Sequence, residues 1–380
     1  MRLPLSADGK NIDRATTFRM VDKAIAEGIN YFDTAYPYHG GMSEIVLGEA
    51  LQRYPRQCYF LADKYPGHQT ADTYDPATVF ENQLKKCGVT YFDFYLLHNV
   101  CESCLDVYLS EKWKIVDYFV EQRRQGRIRH LGFSSHADLP ALRLWLDSPQ
   151  GQQMEFGQIQ LNYMDWTLQK GHEKCALLTE YGLPIWVMEP VRGGKLAMLP
   201  EDITRRMRHF RPDESTASWA FRWLQTIPDA TIVLSGMSSL DQLNDNLHTF
   251  NTERPLTTEE LALLTEVSSL LTNFISCTAC RYCCDECPQG LDIPTLIACC
   301  NDLRLEPSLT PGMRIEYMPD NKKPSNCITC GACANACPQK IDIPSIITEL
   351  NERLKSVPKW ADICRHRNEL AQKQLTESNH

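Results

Sequence analysis

Eight cysteines toward the C-terminal end carry the plainest chemistry in the chain. They fall into two runs, Cys277-Thr-Ala-Cys280-Arg-Tyr-Cys283-Cys284-Asp-Glu-Cys287-Pro288 and Cys327-Ile-Thr-Cys330-Gly-Ala-Cys333-Ala-Asn-Ala-Cys337-Pro338. Three thiolates spaced three residues apart can wrap one face of an iron–sulfur cube. A fourth ligand must come from elsewhere, and in two-cluster proteins the last cysteine of each run serves the other cluster. The spacing therefore assigns Cys277, Cys280, Cys283 and Cys337 to one [4Fe–4S] cluster. Cys327, Cys330, Cys333 and Cys287 take the second. Pro288 and Pro338 redirect the chain after the fourth ligand. Zinc competes for such ligands, but its ribbons use paired CxxC units rather than triplets closing on Cys-Pro. Cys284 is a surplus thiol, and Cys299 and Cys300 read as buried, inert residues of a helix.

A second set of reactive residues lies in the first third of the chain. The segment Asn30-Tyr-Phe-Asp33-Thr-Ala-Tyr-Pro-Tyr38-His-Gly-Gly-Met-Ser43-Glu44 resembles the signature of the aldo-keto reductase family, and the resemblance extends over roughly residues 11–250. It implies a β/α barrel that binds NADPH or NADH without a Rossmann loop and interconverts carbonyls and alcohols. It also implies a catalytic tetrad of Asp33, Tyr38, Lys64 and His98. Each of the four falls at or just past the end of an apolar run, on the face where barrel active sites form. Tyr38 is then the general acid toward a carbonyl oxygen. A cationic Lys64 is expected to lower the phenol from its ordinary pKa near ~10. Asp33 holds the lysine charged, and His98 hydrogen-bonds the substrate oxygen.

The same resemblance implies the cofactor contacts. Ser134 and Gln158 face the nicotinamide carboxamide, with Ser135 where the family often has asparagine. Met188 stands where many members stack an aromatic ring, and a thioether can pack there instead. Ser238 and the helix behind it take a phosphate through backbone N–H groups. Asp245 and Asn246 sit at adenine-contact positions. Gln242 replaces a basic residue found in NADPH-selective members, with Arg192 as a compensating charge. A further CxxC, Cys101 and Cys104, follows His98; it reads either as a reactive dithiol near the substrate or as two loop cysteines with no shared role.

Positioning these residues requires alternating elements. Short apolar runs at Ile29–Thr34, Cys58–Lys64, Phe92–His98, Arg129–Ser135, Phe156–Asn162, Leu183–Pro190 and Thr231–Met237 read as strands buried on both faces. Helices are expected at Thr17–Gly28, Pro76–Gly88, Val107–Gly126, Leu139–Leu146, Glu173–Gly182, Glu214–Ile227 and Leu240–Phe250, several ending on glycine. This is an α/β pattern. The absence of G-x-G-x-x-G disfavours a doubly wound sheet and favours a (β/α)8-type barrel. Only seven strands are found. The chain opens at Met1-Arg2-Leu3-Pro4 almost directly on a helix, so the first strand is expected to be missing or truncated, with the true start upstream.

The expected organisation is a barrel over 1–250, a linker and connecting helix over 251–276, and a two-cluster module over 277–350. A polar tail, partly disordered, occupies 351–380. Pro311-Gly312 reads as a turn between the two runs. The module resembles helical two-cluster ferredoxin domains, which conduct electrons. A net charge of -9 disfavours nucleic-acid binding, and no run reaches the ~18 apolar residues of a membrane span. No export signal is legible, so a cytoplasmic location is expected. The leading reading is an iron–sulfur oxidoreductase acting on a small carbonyl or alcohol, its clusters exchanging electrons with a one-electron carrier or redox partner protein. A flavin remains open as the device that splits electron pairs. The alternative is a non-catalytic barrel that serves as scaffold or regulatory subunit of a redox complex.

Overall fold

The computed structural model describes residues 2–6, 9, 11–67, 75–271, 275, 277, 281–305, 309–337 and 340–377. The chain divides into two compact units. One comprises Met1–Leu261 with His366–His380, the other Ala262–Arg365.

The first unit is built on seven parallel strands: β1 (Tyr31–Asp33), β2 (Phe60–Tyr65), β3 (Phe92–Leu97), β4 (Ile128–Ser135), β5 (Gly157–Gln160), β6 (Ile185–Met188) and β7 (Ala230–Val233). They pair in chain order, β1 to β7, every neighbour parallel. Helices cross between them, among them Met42–Leu51, Pro76–Cys87, Ile115–Arg124, Leu139–Asp147, Gly171–Glu180 and Thr216–Leu224. This is the repeated strand–helix unit of a curled α/β sheet. The helix starts are read locally from sequence. Asp75 accepts from Ala77 and Thr78 N–H ahead of a proline in the first turn, and Asp138 accepts from Ala141 N–H. Helix Pro76–Cys87 stops at Gly88, whose φ of 64° lies in the left-handed region.

The sheet's concave interior is filled, not hollow. Ala62, Leu96, Phe156 and Trp186 are buried together, with Tyr31, Phe94 and Ile232 packed against them. The Phe156 and Trp186 rings approach to 3.8 Å between centroids, and Phe94 stands edge-on to both. Gly132 makes room for this layer, since a Cβ there would fall 2.5 Å from the Phe156 ring. Among the described residues no ladder joins β7 back to β1. A cavity of about 620 Å³ lies between these two end strands, walled by Tyr31 and Phe32 on one side and Thr231–Leu234 on the other. The observed count of strands is thus the seven expected from sequence.

Some local expectations change. Within the expected polar tail, the described residues form the end of helix Ile343–Leu354 and helix Trp360–Glu377. Pro311 and Gly312 do not make a turn between elements but lie buried inside helix Leu309–Tyr317. Proline is tolerated there because it sits in the first helical turn, where its missing N–H has no partner to lose. Helix Met42–Leu51 has little amphipathic contrast, being buried over most of its surface, and its sequence shows no single stripe to recognise.

Helix Thr258–Leu271 begins with a buried ion-pair network. Arg211 donates to both Glu260 oxygens and to Glu214, and Arg222 reaches Glu214. Hydrogen bonding from Arg211 holds the Glu260 carboxyl down at about 2. A depressed carboxylate contributes stability present above its unfolded pKa of about 4.3 and lost as pH falls through the folded value. Acid titration from pH 5 to pH 2 is therefore expected to lower the melting temperature of the wild type steeply. Glu260→Gln should start about 2 kcal/mol less stable at pH 7, because buried Arg211 is left with Glu214 as its one carboxylate partner. Its melting temperature should fall less over that acid range, which differential scanning calorimetry would measure.

The second unit is helical. Helix Ile293–Leu305 packs on Ile343–Leu354 through Leu296, Ile297, Cys300, Leu303, Ile347 and Leu350. Arg304 pairs with Glu349 along the same contact, and Arg353 joins it. No helix among the described residues is long and apolar enough to cross a membrane.

Candidate active site and cysteine cavity

Strand alternation decides which side chains reach the site. On β2, Lys64 points one way and Asp63 the other. Lys64 is fully buried, and its ammonium donates to Asp33 Oδ1 at 2.5 Å and to the Thr34 carbonyl at 2.8 Å. The same ammonium lies 5.1 Å from the centroid of the Tyr38 ring. Tyr38 and His98 meet edge to face at 5.8 Å. The four side chains expected as a tetrad thus converge at the ends of β1, β2 and β3.

Each is fastened by its neighbours. Tyr108 Oη donates to the His98 carbonyl at 2.7 Å, while His98 N–H bonds the Tyr65 carbonyl. Tyr38 begins a tight turn in which His39, Gly40 and Gly41 all take positive φ (52°, 63° and 87°). His39 can hold that strained conformation because its Nε2 accepts the Leu3 N–H at 3.0 Å. Leu370 of the C-terminal helix reaches this turn, 3.9 Å from where a Gly40 Cβ would stand.

The electrostatics correct one expectation. Burial raises the Tyr38 phenol above its ordinary value and outweighs the lowering by Lys64. Burial also opposes charge on Lys64, but Asp33 and Tyr38 overcome it and keep the ammonium protonated. Tyr38 therefore holds its proton throughout the neutral range. It is a hydrogen-bond donor already in place for an oxygen that gains negative charge, beside a cation that stabilises the phenolate left behind.

The expected cofactor residues line the neighbouring strand ends. Gln158 is buried, donates to Met188 Sδ at 3.5 Å, and leaves its Oε1 without a hydrogen-bond partner. A buried amide oxygen that lacks a donor fits the carboxamide N–H₂ of a nicotinamide, and Met188 lies beside it. Ser134 Oγ accepts from Asn99 N–H at 2.9 Å. Ser135 Oγ donates to the Val100 carbonyl and accepts from Ala137 N–H, so its hydroxyl is occupied within its own loop. Past β7, Ser238 Oγ donates to the Arg2 carbonyl, and Ser238 N–H is capped by Gln242 Oε1 at 2.7 Å. Asp245 accepts from Ser215 Oγ, and Asn246 donates to Ser235 Oγ.

Arg192 is not a free charge for a phosphate. Its guanidinium is 4% exposed and bonded to buried Asp165, which also accepts from Gln160 and Asn162. A different cation stands nearby that the sequence reading passed over. Arg2 lays its stem across Gly236, within 3.2 Å of where a Cβ would sit, and its guanidinium reaches toward Gly193. Only the pairing of the chain's first residues with the segment after β7 reveals this, and no local motif carries that signal.

In the helical unit, Cys287, Cys327, Cys330 and Cys333 line one small cavity with Pro288 and Ile347 among its apolar walls. These are the four thiols that spacing alone assigned together, drawn from both runs. Burial raises the Cys333 thiol, with Cys327, Cys287 and Cys330 adding to it. Leu291 N–H donates to Cys287 Sγ at 3.5 Å. Burial likewise pushes Cys283 up to about 12, with Cys284 and Cys277 beside it. Cys280, assigned to the other cluster, lies outside the described residues. Among the described residues no three His, Cys, Asp or Glu side chains converge as for a single metal ion.

A parallel strand–helix sheet with a lysine, a carboxylate and a tyrosine gathered at its strand ends puts its reactive groups where barrel enzymes build their active sites. The chain belongs to the aldo/keto reductase family, whose model matches residues 3–269. It is 27% identical over 270 residues to the uncharacterized oxidoreductase YqkF of Bacillus subtilis, covering 64% of this chain and 85% of that protein. It is 22% identical over 307 residues to the NADH-specific methylglyoxal reductase of Escherichia coli, covering 69% and 90%. Among solved structures, an aldo/keto reductase from Klebsiella pneumoniae in complex with NADP and acetate matches at a TM-score of 0.57 and 22% identity, covering 70% of this chain and 90% of that one.

Proposed function

We propose that this protein is an NAD(P)H-linked aldo-keto reductase that carries two [4Fe–4S] clusters and exchanges electrons with a partner. The observation that carries the first half is the Lys64 ammonium held between Asp33 and Tyr38 at the strand ends. Bound NAD(P)H would supply a hydride to the substrate carbon. Tyr38 gives its proton to the substrate oxygen, Lys64 stabilises the phenolate, and Asp33 fixes Lys64. His98 orients the oxygen from the other side of the tyrosine ring. Ser134, Gln158 and Met188 would hold the carboxamide edge of the nicotinamide. Arg2 and the N–H groups ahead of helix Leu240–Phe250 would hold the phosphates, with Asp245 and Asn246 further along that helix.

The cluster reading is supported by four cysteines from two distant runs meeting in one apolar-walled cavity. Cys287, Cys327, Cys330 and Cys333 would hold one cluster, and Cys277, Cys280, Cys283 and Cys337 the other. Clusters would supply one-electron transfer, whereas hydride moves two electrons at once, so exchange between the two centres calls for a group that splits the pair, such as a flavin. A small carbonyl or alcohol is the substrate class, and a one-electron carrier is the partner class.

The deciding test uses anaerobically purified protein. NADPH and NADH oxidation is followed with a panel of aldehydes at both nicotinamide and cluster absorbance. Turnover with loss of nicotinamide absorbance supports the reductase, and bleaching of the clusters by NAD(P)H alone supports electron exchange. No oxidation with any aldehyde would overturn the first reading. A pH series adds a sign. Because the Tyr38 phenol is raised and is needed protonated, the carbonyl-reduction rate should stay flat across neutral pH and fall only above about pH 10. A fall centred between pH 7 and pH 9 would contradict that assignment.

A further inference from the structure

The loop after β3 carries a pair of thiols that the tetrad does not use. Cys101 and Cys104 are 3% and 2% exposed, and their sulfurs lie 3.5 Å apart. The turn that brings them together is fixed by Cys104 and Leu105 N–H groups bonding the Cys101 carbonyl. Each sulfur has a distinct role. Cys101 Sγ lies 3.2 Å from Ser103 Oγ, and Cys104 Sγ donates to the Asn99 carbonyl at 2.9 Å. We propose that Cys101 and Cys104 are a hydroperoxide-reactive dithiol, and that its closure to a disulfide loosens the cofactor grip at Ser134.

The chemistry balances. The Cys101 thiolate attacks one peroxide oxygen, an S–O bond forms, and the O–O bond breaks. The leaving hydroxide takes a proton and departs as water. Cys104 sulfur then attacks Cys101 sulfur, the S–S bond forms, and the S–O bond breaks. A second water leaves with the Cys104 proton. Two thiols and one peroxide give one disulfide and two waters. Both sulfurs are oxidised and both peroxide oxygens reduced.

Several features suit this reaction. Ser103 Oγ, 3.2 Å away, can donate to the Cys101 sulfur, while burial raises the Cys104 thiol well above its ordinary value and keeps its proton on the Asn99 carbonyl. The attacking and resolving sulfurs are thereby distinguished. Burial of both excludes bulky disulfides and selects an oxidant near the size of water.

The consequence for the site follows from the Cys104 proton. In the disulfide that sulfur has no hydrogen, so the Asn99 carbonyl loses its donor. Asn99 is buried and holds a left-handed φ of 56°. Its N–H bonds Ser134 Oγ, Val100 N–H bonds the Ser134 carbonyl, and Ser135 Oγ bonds the Val100 carbonyl. Residues 99 and 100 are therefore the clip that holds the end of β4. This second half of the proposal rests on the assignment of Ser134 to the nicotinamide.

The test exposes anaerobic holoprotein to stoichiometric hydrogen peroxide. Peptide mass mapping then looks for a linked Cys101–Cys104 peptide two hydrogens lighter than the dithiol. The expected result is that disulfide, reversed by dithiothreitol. In Cys104→Ser, where no resolving sulfur exists, Cys101 should accumulate as a sulfenic acid, trapped by dimedone added as the protein is unfolded. NADPH affinity, measured by fluorescence titration, should weaken about tenfold in oxidised wild type and recover on reduction, the scale of losing one buried hydrogen bond. Cys101→Ser keeps the Cys104 proton, and its affinity should not respond to peroxide. Two alkylatable thiols after peroxide would overturn the dithiol. A disulfide that leaves affinity unchanged, or an equal loss in Cys101→Ser, would overturn the coupling. If even reduced protein binds no NADPH, the cofactor assignment itself fails, and the mapping still decides the thiol chemistry.

Discussion

Tyr38→Phe is expected to lower kcat for aldehyde reduction by about 10³-fold, within the range for losing a positioned proton donor, while NADPH affinity stays within about twofold. The division between kcat and binding is what makes the result informative. The hydroxyl acts on an oxygen that becomes basic only as the carbon is reduced, so its loss is felt in the transition state and not in the ground state. The ring remains, and with it the contact to His98 and the face offered to Lys64. Fold and cofactor site should therefore survive, and melting temperature should confirm that. Stopped-flow NADPH oxidation with a reactive aldehyde measures the effect. A variant that keeps more than about a tenth of wild-type kcat would remove Tyr38 from its role.

The second large effect concerns the helical unit. Cys287 stands in the first cysteine run, yet it lines the cavity formed by the second. Cys287→Ala is expected to deplete the cluster held by Cys327, Cys330 and Cys333. Anaerobic iron and sulfide analysis should drop from about eight of each per chain toward about four. Cys284→Ala, only three residues away, should leave about eight. If the ligands instead stayed within their own run, Cys287→Ala would spare the Cys327 cluster and bleach the one built on Cys277. Combining Cys287→Ala with Cys327→Ala separates these cases. Under crossed ligation the double variant retains about four irons, and under uncrossed ligation it loses both clusters. Zinc in place of iron would refute the cluster assignment altogether.

The sequence was most legible where one residue type has one physical use. Buried parallel strands must be apolar on both faces, so all seven runs announce themselves. The cysteine runs suggest a ligand pattern in the same way, and Cys287 does line one cavity with Cys327, Cys330 and Cys333. The convergence of Asp33, Tyr38, Lys64 and His98 was legible because successive strand ends set them at intervals a motif can capture. Long-range partners were not. Arg192 looks like a free cation in sequence, and only the fold brings Asp165 to it. Arg2 looks like part of a chain end, and only the fold lays it over Gly236. The direction of the Tyr38 shift was misjudged for the same reason. A neighbouring charge can be inferred from spacing, but desolvation depends on everything packed around the phenol. Helix Trp360–Glu377 was missed because its polar composition resembles that of a solvated tail.

The gap between β1 and β7 has a mechanical meaning. A closed barrel has hoop strength, since each strand is clamped from both sides. Among the described residues β1 is three residues long, pairs with β2 alone, and ends on Asp33. The carboxylate that fixes Lys64 sits at the end of that strand, held in turn by the Lys64 ammonium. Ser235, Gly236 and Met237 form the opposite lip of the same gap. A ligand that touched both lips would bridge the gap beside Asp33. Resistance to thermal opening should then rise as that bridge forms.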